Sequence, residues 1–405
     1  MFIPEKTNKN RRMFVLMELR GRTFFRGKLE DCRILVEGGR IRKVEKNTAE
    51  RNVRGMILPA GVDMHVHFRD PGYVHKEDFY SGSVAAAFGG ISCVFDMPNT
   101  KPRVRDRVTL EEKREIAREK SVVDFSIYAQ ASKGCDKELD VKAYKLYTYE
   151  DRPAEAAGIR KMVSFHCENE AFFDRDFNVS KDITEHAKYR SEKSEVEAVR
   201  EVNNIDVKRH FAHISSLRSL ELAKGTKEVT PHHMLLDFRG IDTRDARFKV
   251  NPPIRNNGAD LFKAFNGGMI DVLASDHAPH TLDEKEDFES APSGMPGVET
   301  MYPVMLSLVK RGAVGLATLM RTLCEKPAEL TGLKKGRIEA GYDADLVLVD
   351  FEDEQRIREE ELHSRCGWSA FEGFSAVFPY ALFIRGVQIT EGRDLLVQRG
   401  FGSEK

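Results

Sequence analysis

Residues 63–69 read Asp63-Met64-His65-Val66-His67-Phe68-Arg69. Alternate residues of a β-strand share a face, so Asp63, His65, His67 and Arg69 point one way while Met64, Val66 and Phe68 point the other. Four polar side chains aimed into an interior are costly unless something neutralises them. A divalent metal would do so, because two imidazoles two residues apart can ligate one ion. Outward from this strand, short β-like runs recur at 62–68, 92–99, 124–131, 143–148, 163–168, 209–215, 228–236 and 270–278. Helical patterns such as 110–120 and 191–203 lie between them. Eight strands alternating with helices over residues 59–335 predict an α/β fold of the (β/α)8 TIM-type barrel class. An open doubly wound sheet is the alternative. It would be expected to carry a Gly-rich dinucleotide loop after its first strand, and that loop is absent.

The flanks read differently. Residues 33–46 form strand, Gly38-Gly39 turn and strand, because the glycines supply the positive φ of a two-residue hairpin. Residues 346–349 are a short apolar β run, and 380–389 read as a second hairpin around Arg385-Gly386. Neither flank has enough strands to bury a core alone. The expectation is one small β-sandwich domain built from 13–58 and 336–405 around the barrel, with residues 1–12, polar and basic, as a flexible extension.

Composition excludes several classes of function. The chain has 405 residues, 41% of them hydrophobic, which is ample for a large core. Lys+Arg 64 against Asp+Glu 65 leaves a net charge of −1, without the basic footprint of a nucleic-acid binder. The uncharged stretch 79–95 is too short, and too interrupted by Gly82, Gly89 and Gly90, to span a membrane. The apolar run 13–17 is shorter than a signal-peptide core. Six scattered cysteines with no Cys-x-x-Cys pair point to reduced thiols and a cytoplasmic location.

Chemistry-bearing residues gather at the ends of later strands. His166 sits in VSFHCE, His213 in HFAHIS, and Asp276 closes the eighth run in VLASDHAPH. With His65 and His67 they converge on the face where barrel active sites form. Lys145, in AYKLYT, shares this inward face. A buried ammonium beside a dication would be repelled, so Lys145 either pairs with a carboxylate such as Glu150 or Asp151, or has reacted with carbon dioxide to an anionic carbamate. Arg69 offers a planar fork suited to a carboxylate, unless it pairs with Asp70 or Asp63. Asn99 is either a ligand-binding side chain or a turn residue. The acidic tract 283–289 reads as a solvated loop, long enough to be a mobile cover.

The set His-x-His, Lys, His, His, Asp on eight strands resembles the amidohydrolase superfamily in its binuclear, carboxylated-lysine form. DMHVHFRDPG (63–72) with KED (76–78), DMPNT (96–100), TPHH (230–233), NPPIR (251–255), SDHAPH (275–280), GRIEAGYDADLVLVD (336–350) and CGWSAFEGF (366–374) narrow the resemblance to the class I dihydroorotases. It runs from about residue 30 to 390. It implies two zinc ions per chain, a site that would also accept cobalt or manganese. His65, His67 and Asp276 would hold one ion and His166 and His213 the other, with Lys145 as an N6-carboxylated bridge. Many bacterial class I members use an aspartate as the bridge; no matching Ser-Asp-Asp motif occurs here. The implied reaction is the reversible cyclisation of N-carbamoyl-L-aspartate to (S)-dihydroorotate in de novo pyrimidine biosynthesis, with Asp276 as general acid/base. His67, Arg69, Asn99, Asn251, His280, Pro296 and Gly297 would bind this small-molecule substrate. His232 and His233 would support rather than ligate. A hydantoinase or allantoinase would need the same cage but no carboxylate clamp, and a non-catalytic scaffold would be expected to have lost ligands. A homo-oligomer and an aspartate transcarbamoylase partner are both compatible with the resemblance, and the sequence specifies neither.

Overall fold

The computed structural model describes residues 17–46 and 50–405, so the expected extension at 1–12 lies outside the described residues. β1 (Met17–Phe25), β2 (Lys28–Glu37) and β3 (Arg40–Lys46) form an antiparallel meander. Its second turn is the Gly38-Gly39 pair, with φ of 60° and 81°, the left-handed geometry that matches the twist of a hairpin. β4 (Met56–Pro59) then runs parallel to β1 and leads into the central region.

That region is a succession of parallel strands. They are β5 (Gly61–Val66), β6 (Ile91–Asp96), β7 (Asp124–Ile127), β8 (Ala129–Gln130), β9 (Ala143–Tyr147), β10 (Met162–His166), β11 (Lys208–Phe211), β12 (Thr226–Val229) and β13 (Val272–Leu273). β5, β6 and β7 are neighbours in one sheet, and β8 to β13 follow in sequence order in another. Tyr128 alone separates β7 from β8, and a parallel bridge joins Val66 to His277 beyond β13. This order is consistent with the expected barrel. The expected helices appear as Arg107–Lys120 and Glu192–Val202. Asp106 caps the first, accepting from the Thr109 amide, and Ser191 caps the second.

The chain then returns to the first sheet. β14 (Leu346–Val349) lies antiparallel to β4, pairing Leu346 with Pro59 and Val349 with Met56. β15 (Gln355–Arg356) and β16 (Ser375–Ala376) form a separate pair. β17 (Ala381–Ile384), β18 (Val387–Glu391) and β19 (Asp394–Leu395) complete an eight-stranded sheet of order β19-β18-β17-β14-β4-β1-β2-β3. Both flanks therefore build one sheet, and Leu19, Ile34, Ile57, Leu346 and Phe383 from the two flanks bury a common core. Among the described residues no helix is long and apolar enough to cross a membrane.

Three expectations need correction. The run at 228–236 is a strand only to Val229. Thr230 then caps a short helix, Pro231–Leu235, by accepting from the His233 amide, and Pro231 suits its first turn. The run at 270–278 keeps only Val272–Leu273 as strand. The tract 283–289 is not simply solvated, because buried Lys285 donates to the carbonyls of Ala246, Lys249 and Pro292 and ties the segment down.

Candidate metal centre

The site forms where the parallel strands end. His65 lies near the end of β5 and His67 one residue past it; Lys145 is in β9; His166 closes β10; His213 and Asp276 follow β11 and β13. One ligand atom from each of His65, His213 and Asp276 lies within 4.8 Å of the others. Asp276 Oδ1 is 3.1 Å from His67 Nε2 and 3.3 Å from His65 Nε2. Lys145 Nζ is 3.4 Å from His65 Nε2. The His213 ring is 5.0 Å from that of His65 and 4.5 Å from that of His166. All six sequence-predicted ligands are thus brought into one buried cluster.

Hydrogen bonds around the cluster set which nitrogens face inward. His65 Nδ1 lies 2.8 Å from Glu228 Oε1, His67 Nδ1 2.7 Å from Asn99 Oδ1, and His166 Nε2 2.7 Å from Glu168 Oε2. Each imidazole spends its N–H on an oxygen and keeps a lone pair on its other nitrogen, the arrangement of metal-bound histidines. His213 Nδ1 is buried with no hydrogen-bond partner. Lone pairs of His65 and His67 then face a carboxylate oxygen of Asp276 with no proton between them. A cation resolves that conflict, so the donor set fits a metal.

Charge states agree. Burial pushes His67 down to about 4 and also lowers His166 and His213, so these rings are neutral at pH 7. Asp276 is a carboxylate at pH 7, its carboxyl held below the usual range although burial opposes ionisation. Burial pushes Lys145 down to about 8. The local pairing of Lys145 with Glu150 or Asp151 is not formed. Glu150 is 2.7 Å from Arg103 and Asp151 accepts from Gln130 at 2.9 Å.

Beside the cluster, Arg69 donates from Nε to the Pro279 carbonyl at 3.2 Å, and its Nη2 lies 3.0 Å from His280 Nε2. Its alternative partners are engaged elsewhere: Asp70 pairs with Lys120 at 2.7 Å, and Asp63 accepts from the Ser275 hydroxyl at 2.5 Å. Among the described residues Arg69 forms no salt bridge. Asn99 touches His67 rather than serving only a turn. Among the described residues no hydrogen bond links Asn251, Pro296 or Gly297 to the six: Asn251 Oδ1 meets His186 Nε2 at 2.9 Å, and the Gly297 amide, next to Pro296, donates to His277 Nδ1. His233 is spanned by Thr230 Oγ1 and the Pro252 carbonyl.

Sequence reasoning missed the carboxylates behind the ligands. Glu228 accepts from the His213 amide at 2.9 Å and meets His210 Nε2 at 3.0 Å, besides holding His65. Glu168 is clasped by Arg190, with Nη2 to Oε2 at 2.6 Å. The available signal was position: Glu168 shares the inward face of VSFHCE two residues after His166, and Glu228 is an acid at the head of an apolar run.

The amidohydrolase family matches residues 56–387. Dihydroorotase from Methanosarcina mazei is 35% identical over 94% of this chain and 95% of its own, and dihydroorotase from Thermoplasma acidophilum is 37% identical over 90% and 92%. L-hydantoinase from Arthrobacter aurescens superimposes with a TM-score of 0.84 at 25% identity, covering 95% of this chain and 97% of its own. Dihydropyrimidinase from Brevibacillus agri has the same fold, with a TM-score of 0.85 at 22% identity over 96% and 98% of the two chains. With its histidines, lysine and aspartate gathered at the strand ends, the chain belongs to the amidohydrolase family and, within it, groups with the dihydroorotases.

Proposed function

We propose that this protein is a cytoplasmic enzyme that interconverts N-carbamoyl-L-aspartate and (S)-dihydroorotate. The parallel strands close as a (β/α)8 barrel over 59–335, and 13–58 with 336–405 make the β-sandwich; the β4–β14 seam supports this division. His65, His67, His166, His213, Asp276 and Lys145, the last as its N6-carbamate, would hold two zinc ions, which would polarise the substrate carbonyl and activate water. Carboxylation needs a neutral amine, and burial of Lys145 favours that form. Asp276, ionised at neutral pH, accepts the proton of the attacking water and returns it to the leaving ring nitrogen. Cyclisation reverses these transfers.

The observation that carries the substrate is Arg69. A partly buried guanidinium beside the cluster, with no salt bridge among the described residues, calls for an anion supplied by the substrate. Asn99 and His280 complete the grip, and Asn251 with the backbone at Pro296 and Gly297 lines the ring. A hydantoin or dihydropyrimidine ring without a carboxylate would leave Arg69 unneutralised, which ranks that alternative second. Arg69→Met tests the reading. Loss of a charge-assisted, bidentate contact costs about 3–4 kcal/mol, or two to three powers of ten in kcat/KM for dihydroorotate. Unchanged turnover in a zinc-replete variant would refute the substrate.

A further inference from the structure

Three groups lie close around the His280 ring, and a fourth, Glu284 Oε2, stands farther off at 3.5 Å from Nδ1. Lys76 Nζ lies 3.0 Å from Nδ1, the Ser293 carbonyl 3.2 Å from Nε2, and Arg69 Nη2 3.0 Å from the same Nε2. A neutral imidazole has one N–H and one lone pair, Lys and Arg only donate, and a carbonyl only accepts. With its proton on Nδ1, the ring would oppose N–H to Lys76 and lone pair to the Ser293 oxygen, two mismatches. With the proton on Nε2 it accepts from Lys76 and donates to Ser293; the close mismatch left is at Arg69, while the more distant Glu284 carboxylate beside Nδ1 is taken up by the Lys76 ammonium at 2.7 Å. A doubly protonated ring would meet two cations, and burial together with Arg69 and the neighbouring lysines holds His280 far below its ordinary pKa.

We propose that Lys76 is a positioning residue that fixes His280 as the Nε2–H tautomer, so that His280 and Arg69 present adjacent N–H donors to the substrate carboxylate. The inference rests on the carboxylate clamp proposed above. The mismatch at Arg69 is then functional: a carboxylate oxygen accepts from Nη2 and shares the Nε2–H with the Ser293 carbonyl as a bifurcated bond. Lys76 is itself held for this task. Its side chain is 12% exposed, its ammonium is 2.7 Å from Glu284 Oε1, and it lies over the Tyr73 ring at 5.6 Å. Glu284 comes from the acidic tract after His280, which gives that tract a purpose beyond solvation. Lys76 acts only through groups that meet a carboxylate, so it sets specificity and not chemistry.

Selective 15N-histidine labelling reads the tautomer directly, with His280→Gln assigning the signals. The wild type is expected as Nε2–H, Lys76→Met shifts the ring toward Nδ1–H, and Lys76→Arg keeps the wild-type form. In steady state Lys76→Met raises KM for dihydroorotate about tenfold and changes kcat less than about twofold, with Lys76→Arg restoring KM. A wild-type ring protonated on Nδ1, an unchanged tautomer in Lys76→Met, or a loss confined to kcat would each overturn the assignment. A zinc-replete wild type that leaves dihydroorotate unconverted would refute the proposed function, while the tautomer measurement still decides the role of Lys76.

Discussion

Glu228 is where the metal centre is most exposed to a single substitution. Its carboxylate takes His65 Nδ1 at 2.8 Å, the His213 amide at 2.9 Å and His210 Nε2 at 3.0 Å. Glu228→Gln keeps the shape and removes the charge. The amide oxygen can occupy the Oε1 position and serve His65 and His213. The amide nitrogen then faces His210, which can accept it by moving its proton to Nδ1, 2.9 Å from Thr226 Oγ1. A bond to a charged group contributes about 1.5–3 kcal/mol and a neutral one about 0.5–1.5, so three weakened bonds cost about 3–4 kcal/mol. His65 also becomes a less basic ligand, and zinc affinity falls roughly 10–100-fold. Competition of the protein with a chromophoric chelator measures that affinity, and urea unfolding of the metal-free chain measures the stability. Burial opposes ionisation of Glu228, but His65 and His210 hold its carboxyl well below the ordinary range. Its stabilisation is therefore present above the unfolded pKa of about 4.3 and is lost as pH falls through the lower folded value, so the gap between wild type and variant closes in acid. Wild-type zinc affinity in Glu228→Gln, with an unchanged urea midpoint, would refute the claim that this charge orients the ligands.

Lys113→Met strands Asp96, since Lys113 and Asp96 are a fully buried ion pair and Lys113 also donates to the Met97 carbonyl at 2.6 Å; unfolding free energy should drop by about 3–5 kcal/mol, and an unchanged urea midpoint would contradict the pair's role. Asp276→Asn removes the proton carrier and should lower kcat by about two to four powers of ten; full activity at wild-type zinc content would remove Asp276 from the mechanism. Burial pushes Lys285 down to about 7, against about 10.4 unfolded. Between those values the unfolded chain binds more protons, so stability rises with pH from 7 to 10, and Lys285→Met should flatten that rise in urea unfolding at several pH values.

The ligand-bearing strands were legible because each placed a polar side chain on the inward face of an otherwise apolar run, a pattern contained within five or six residues. The hairpins were legible for the same local reason: Gly38-Gly39 and Arg385-Gly386 have the positive φ their turns demand. What escaped was set by distance. β4 is four residues long and becomes a strand by pairing with β14, nearly three hundred residues away. Glu228 and His65 are separated by 163 positions, so nothing near either residue announces the contact. The local expectation that Lys145 pairs with Glu150 or Asp151 failed because Arg103 and Gln130, from other segments, reach those acids first. At 228–236 an apolar run outweighed the Thr230-Pro231 helix start that the same sequence contains.

Three of the site residues carry backbone strain, and the hydrogen bonds beside them explain how the fold sustains it. Arg69, His213 and Asp276 have φ of 64°, 32° and 47°, a left-handed region that costs a non-glycine residue roughly 1–3 kcal/mol. Each lies just past a strand end, and at or next to each one a buried carboxylate accepts a backbone amide. Asp96 takes the Phe68 amide at 2.6 Å, Glu228 the His213 amide at 2.9 Å, and Asp63 the Ser275 amide at 3.1 Å. In every case the acid comes from another strand: Asp96 from β6, Glu228 from β12 and Asp63 from β5. A backbone bond to a buried acid contributes about 0.5–1.5 kcal/mol when the acid is neutral and about 1.5–3 when it is ionised, comparable with the strain at one residue; burial pushes Asp63 up to about 7, so its support is strongest above neutral pH. The inward-pointing Asp63 that opened the sequence is therefore no ligand. It is the support that turns the chain after β13 and delivers Asp276 to the histidines. The polar cost of the first strand is met in two ways: the imidazoles belong to a donor set that fits a metal, and the aspartate is satisfied by the backbone it bends.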